Sequence, residues 1–173
     1  MLPFILIAYL NWNYAKPEPK PEPMVIQTEV QYENEDQRVA TLQAYLAKKG
    51  SPMAENAKDF IEAANTYGLD WKLLPSISGA ESGFGKHVPS CASYNGFGWI
   101  STASPCGYWR FESYSEAIHG VAKGIGTKSA YSQYRETRSI ERLAIPYSGG
   151  SAHWVEMVNW FMNDIENFKN DTN

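Results

Sequence analysis

The chain has 173 residues, 43% hydrophobic and 20% charged, with a formal net charge of −4 and a pI of about 5.4. That length supports a sizeable core in one globular domain. The acidic balance, with no basic run or basic-aromatic stripe, argues against nucleic acid as a partner. Recognition of an uncharged ligand would fall to rings and hydrogen bonds, and six Trp, eleven Tyr and seven Phe supply the rings.

The chain opens on an uncharged apolar run, residues 1–10. A helix needs roughly 20 apolar residues to span a bilayer, so this run is too short. It has the length of a signal-peptide apolar region but lacks a basic start, and Asn13-Tyr14-Ala15 is a poor small-residue cleavage site. Residues 1–15 therefore read as an export signal or the remainder of a membrane tether, which places the rest of the chain outside the cytoplasm. Lys16-Pro-Glu-Pro-Lys-Pro-Glu-Pro23 alternates proline with charge and reads as an extended spacer. Residues 24–35 are polar and acidic and read as further linker. The expected division is a segment 1–15, a linker 16–35 and a folded domain 36–173.

Within the domain the periodicity is helical. Val39, Leu42, Tyr45 and Leu46 share one face of a helix that stops at Gly50. Ser51-Pro52 starts a second helix with Ala57, Phe60, Ile61 and Ala64 inward, ending at Gly68. Asp70 precedes a third that carries Leu73, Leu74, Ile77 and Ala80, with Pro75 early enough to be tolerated. Further helices are expected over 115–127, 129–136, 137–145 and 151–168. Strand signals are weak, and one short hairpin near 99–112 is the most they allow. The fold class is mainly α, α+β at most.

Chemistry concentrates at Ala80-Glu81-Ser82-Gly83-Phe84-Gly85 and at Asn95-Gly-Phe-Gly-Trp99. A carboxyl against apolar walls holds its proton toward neutral pH. That suits Glu81 as a general acid, as glycosidic cleavage requires. Tyr94 and Asn95 could bond an N-acetyl group, with Phe97 and Trp99 walling the pocket, or the turn could simply pack on the core. Trp109 and Trp154 could stack on sugar faces. Glu112 is a candidate second carboxylate, whereas Glu116 suits the N-terminal dipole of its helix.

Residues 69–85, read as Leu69-Asp70-Trp71-x-Leu73-Leu74-Pro75-x-Ile77-x-x-x-Glu81-Ser82-Gly83-Phe84-Gly85, resemble the catalytic-helix segment of the lysozyme-like superfamily. That group includes lytic transglycosylases, goose-type lysozymes and bacterial endo-β-N-acetylglucosaminidases. Asn95-Gly-Phe-Gly-Trp99 is similar to the glucosaminidase Asn-x-Phe-Gly turn, and the stretch from Trp109 to Ile118 is similar to the pattern beyond that turn. The transglycosylase Gly-Leu-Met-Gln turn is absent, while Tyr147-Ser-Gly-Gly150 is similar to their Tyr-Asn-x-Gly element with Ser148 in place of Asn. The resemblance implies a lysozyme-like helical domain cleaving β-1,4 bonds between amino sugars of peptidoglycan. It makes Glu81 the acid and Tyr147 a second catalytic residue. Ser82, Tyr94, Asn95, Phe97, Trp99, Trp109 and Trp154 become the substrate-binding set. The alternatives are a lytic transglycosylase of the same fold, a glycan-binding module that does not cut, and a tethered component of a wall-spanning assembly.

No cofactor is expected. Cys91 and Cys106, with fourteen residues between them, lie in the loop-like stretch 86–110 and are expected to form a disulfide, given export and an even count. No metal site is expected, because neither C-x-x-C nor H-x-x-x-H spacing occurs.

Overall fold

A computed structural model describes residues 25–169. The expected export segment and the proline-rich spacer lie outside the described residues, apart from the last stretch of the linker. Seven α-helices are present among the described residues: α1 Val25–Lys48, α2 Ala57–Tyr67, α3 Leu73–Ser82, α4 Tyr114–Thr127, α5 Ser132–Thr137, α6 Ile140–Ser148 and α7 Ala152–Glu166. Single 3-10 turns occupy Ala54–Asn56, Ser90–Ala92 and Ser129–Tyr131. The architecture is mainly α, as the periodicity predicts. No helix among the described residues is long and apolar enough to cross a membrane.

Three boundaries differ from expectation. Helix α2 begins at Ala57 with Asn56 at its N-cap, not at Ser51-Pro52, which lie in a turn ahead of the Ala54–Asn56 3-10 segment. Helix α1 starts at Val25 rather than near residue 36, so the end of the expected linker is helical. Gln, Glu and Arg are good helix formers, and a helix already seeded by the packed 39–46 segment can propagate back through them. The expected hairpin is reduced to one antiparallel bridge between Ile100 and Tyr108. Trp109 N–H donates to the Trp99 carbonyl at 2.8 Å and Ser101 N–H to Gly107 at 2.9 Å. Gly107 is a partner in the second rung and Pro105 lies in the turn just beyond it, and neither residue sustains a strand.

Local chemistry sets the helix ends. Ser113, Ser139 and Ser151 cap α4, α6 and α7 by accepting the N–H of Glu116, Arg142 and Trp154. Helix α3 is buried almost all round, from Leu73 to Gly79, so it is the central rod of the domain. It packs on α7, while α2 packs on α4. The approach to α7 is close: a β-carbon on Gly79 would lie 2.9 Å from the Phe161 ring. The polar residues on this rod are satisfied internally, Ser76 donating to the Lys72 carbonyl at 2.7 Å and Ser78 to that of Pro75 at 2.7 Å. Phe60, Ile61, Leu74, Ile77, Phe97, Ile118, Val121, Leu143 and Val158 form one core around it. Each such side chain contributes about 1.5–3 kcal/mol by burial. This anchored rod carries Glu81 in its last turn.

Candidate active site

The segment after Glu81 is stitched to the 95–99 turn. Ser82 hydroxyl donates to the Gly96 carbonyl at 2.6 Å and accepts Gly85 N–H at 2.8 Å. Gly83, at φ 58°, ends α3 in the left-handed conformation that glycine adopts without cost. Asn95 is 3% exposed. Its amide donates to the carbonyls of Trp99 and Trp109, both at 2.8 Å, and its oxygen accepts Trp99 N–H at 2.9 Å. Phe97 is fully buried against Phe60, with ring centroids 6.2 Å apart.

On this frame the Glu81 carboxyl is held at two points. Trp154 Nε1–H donates to Oε1 at 2.7 Å. Oε2 lies against Gly98, where a β-carbon would overlap it. Tyr147 hydroxyl donates to the Phe97 carbonyl at 2.6 Å, which fixes its ring beside the acid. The Tyr147 and Trp154 rings stack with centroids 5.2 Å apart and planes at 27°. Ala80, Glu81, Gly98, Tyr147, Ser148, Trp154 and Met157 line a hollow of about 380 Å³, within the size range of ligand sites. Through Gly98 and Tyr147 it runs on into a second hollow walled by Trp99, Lys128, Tyr131 and Pro146. Trp99 and Tyr131 stack there at 6.1 Å and 24°.

Glu81 is open to solvent on its groove side. Its carboxyl is nonetheless crowded by these walls, and desolvation raises its pKa above the usual glutamate value. The indole N–H bond, which favours the carboxylate, opposes that rise without cancelling it. Burial, followed by the neighbouring Glu81 charge, holds the Tyr147 phenol well above its ordinary range, so it stays a neutral donor.

Glu81, Tyr147, Trp154 and Trp99 are therefore brought together as expected, and other expected members of the site are corrected. Ser82, Asn95 and Phe97 are buried and spend their polar groups or ring area on the frame, so none faces the groove. Tyr94, at φ 59°, packs edge-on against Tyr114 and borders a separate depression with Arg110 and Glu112. Trp109 is 47% exposed and lines another hollow, on the far side of Trp99 from the acid. Glu112 is not a second carboxylate of this groove, and Glu116 Oε2 accepts Glu112 N–H at 2.6 Å. Among the described residues, Glu81 is the only acidic side chain lining the two joined hollows.

Cys91 and Cys106, the expected disulfide pair, are brought side by side as free thiols that hydrogen-bond each other. Cys106 Sγ is directed at the Cys91 carbonyl, 3.5 Å away. The two ends of the loop are also joined through backbone, Phe111 N–H donating to the Ser93 carbonyl at 3.1 Å. Sequence reasoning missed Tyr131, Lys128 and Met157, none of which sits in a recognisable pattern. It also missed Gly98 as the neighbour of the acid, though that residue lies inside the turn motif.

Comparison with protein-family models, with curated proteins and with solved structures gives no match for this chain.

Proposed function

We propose that the chain is a peptidoglycan-cleaving glycosidase, glucosaminidase-like, that breaks a β-1,4 bond between amino sugars with Glu81 as general acid. The observation that carries this reading is the Glu81 carboxyl itself. It has a raised affinity for its proton, one oxygen is held by the Trp154 indole, and it faces a groove walled by aromatic rings. Sugar rings stack on such walls through their apolar faces. The resemblance of residues 69–85 to the catalytic segment of the lysozyme-like superfamily, and the mainly helical fold, support the same reading.

Protonated Glu81 delivers its proton to the leaving glycosidic oxygen while the anomeric carbon takes on oxocarbenium character. The Trp154 N–H stays on Oε1 and stabilises the carboxylate left behind. Tyr147, neutral and anchored, supports the acid's position through Trp154 and closes the groove beside it. A groove with one acidic residue favours routes that need no second one. In the first, the substrate's own N-acetyl oxygen attacks the anomeric carbon and water completes the hydrolysis. In the second, a hydroxyl of the same sugar attacks, and Glu81 returns as base to take its proton, giving an anhydro end as in lytic transglycosylases.

The test is mass spectrometry of purified peptidoglycan after incubation with the full chain, beside the Glu81→Gln variant. Wild type is expected to release fragments and the variant to be slowed about 100-fold or more. A reducing glucosamine end identifies a glucosaminidase, a reducing muramic end a muramidase, and an anhydro-muramic end the transglycosylase route. A folded protein that binds the sacculus but releases nothing in either form would make it a binding module instead.

A further inference from the structure

The groove carries a cation as well as rings. Lys128 Nζ lies 4.8 Å from the centroid of the Trp99 ring, and Lys128 lines both the hollow that joins the acid's and the hollow beyond Trp99. Its backbone is held in place from below. Arg135 donates to the carbonyls of Lys128 at 2.7 Å and Ile125 at 2.9 Å, pinning the end of α4. Among the described residues, no carboxylate pairs with this ammonium. Lys49 pairs with Asp164, Lys58 with Glu62, and Lys72 with Asp70 and Glu166, whereas Lys123, which lines only the hollow beyond Trp99, shares with Lys128 the lack of a carboxylate partner among the described residues. In a chain of net charge −4, an unpaired cation over an aromatic wall of the groove needs a role.

We propose that Lys128 selects glycans that carry carboxylates on their sugars over neutral chains of the same backbone. This rests on the glycan-cleaving reading above and names the feature of the substrate it prefers. A sugar seated against Trp99 and Tyr131 presents its substituents toward Lys128, and a carboxylate there gains a charge-assisted bond to this exposed ammonium. The cation–π contact holds the lysine stem in place beforehand, so less side-chain freedom is lost on binding. The carboxylate can belong to an acid ether on the sugar or to a peptide attached through it.

The experiment is calorimetric binding to the full chain carrying Glu81→Gln, which holds substrate without turnover. Three ligands of equal length are compared: a neutral N-acetylglucosamine hexamer, a peptide-free chain alternating N-acetylglucosamine with N-acetylmuramic acid, and the same chain with peptide stems. Carboxylate-bearing chains are expected to bind about tenfold tighter than the neutral one. Added Lys128→Met is expected to erase the preference and Lys128→Arg to keep it. Preference for the peptide-free acidic chain assigns the contact to the ether carboxyl, and preference for the stem-bearing chain alone assigns it to the peptide. Equal binding of neutral and acidic chains, a preference that survives Lys128→Met, or no binding of any chain overturns the proposal. A retained preference in a protein whose wild type never cleaves would instead overturn the catalytic reading and leave this one standing.

Discussion

The two halves of the 95–99 turn are built for different ends. Asn95, Gly96 and Phe97 face inward, where Asn95 brackets the backbone of Trp99 and Trp109 and Phe97 fills the core. Gly98 and Trp99 face outward, one making room for a carboxyl oxygen and the other walling the groove. The same division runs through α3, where Glu81 is open to the groove and Ser82, the next residue, is buried and fully bonded. A recognisable pattern is thus mostly scaffold, and the surface it presents is narrower than the pattern suggests.

Substitutions should separate the two halves by what they damage. The largest effect belongs to the outward half: Glu81→Gln should cost about 100-fold or more in kcat. It should also leave the fold intact with a slightly higher Tm at neutral pH. The sign comes from linkage. A carboxyl whose pKa is raised by folding destabilises the native state as pH rises above its unfolded value, and the amide removes that cost. A fall in Tm would mean that Glu81 is part of the frame. The inward half should respond in the opposite way. Asn95→Ala leaves two carbonyls and one N–H without their partner, and should lower the unfolding free energy by about 3 kcal/mol in denaturant titration. Unchanged stability with weakened substrate binding would return Asn95 to the contact surface.

A subtler test lies between the halves. Trp154→Phe removes the one hydrogen bond that lowers the Glu81 pKa, so the alkaline limb of the kcat profile, where the acid loses its proton, should move to higher pH. A limb that stays put would show that another group titrates. The smallest effect concerns the nearby loop. Both thiols should react with a disulfide reagent in the native protein, and Cys106 should alkylate at lower pH than an ordinary cysteine. Hydrogen bonds from Cys91 first, and then from Ser104, stabilise its thiolate.

Much of the helical frame was legible because it is written locally. The run from Ala117 to Ile125 repeats at helical spacing, and Ser151 announces α7 as a cap does. Glu81 was legible for the same reason, as a carboxylate at the end of an apolar rod just before a glycine. The inward orientation of Asn95 was not, since an asparagine beside glycine suits a ligand contact as well as a backbone bracket. Nor were Lys128 and Tyr131, which reach the groove only because the turn after α4 packs against α6 and α4 itself packs against Trp99. The backward extension of α1 was hidden by a polar composition that serves a helix and a linker equally.

Gly79 on α3, Gly98 in the turn and Gly124 on α4 lie far apart in sequence, yet each faces a bulky neighbour with no room for a methyl. The neighbours are Phe161, the Glu81 carboxylate and the Trp99 indole, the last 2.5 Å from where a β-carbon on Gly124 would sit. Codon-by-codon variation of the gene, read out as surviving function, should therefore purge even alanine at these three positions, as at Gly126, where a β-carbon would lie 2.7 Å from Tyr67. Their spacing along the chain would look arbitrary. Mapped onto the molecule, Gly79, Gly98 and Gly124 mark the back of the acid's helix, the floor beside the acid and the seat of the indole, so genetic tolerance alone would trace part of the groove.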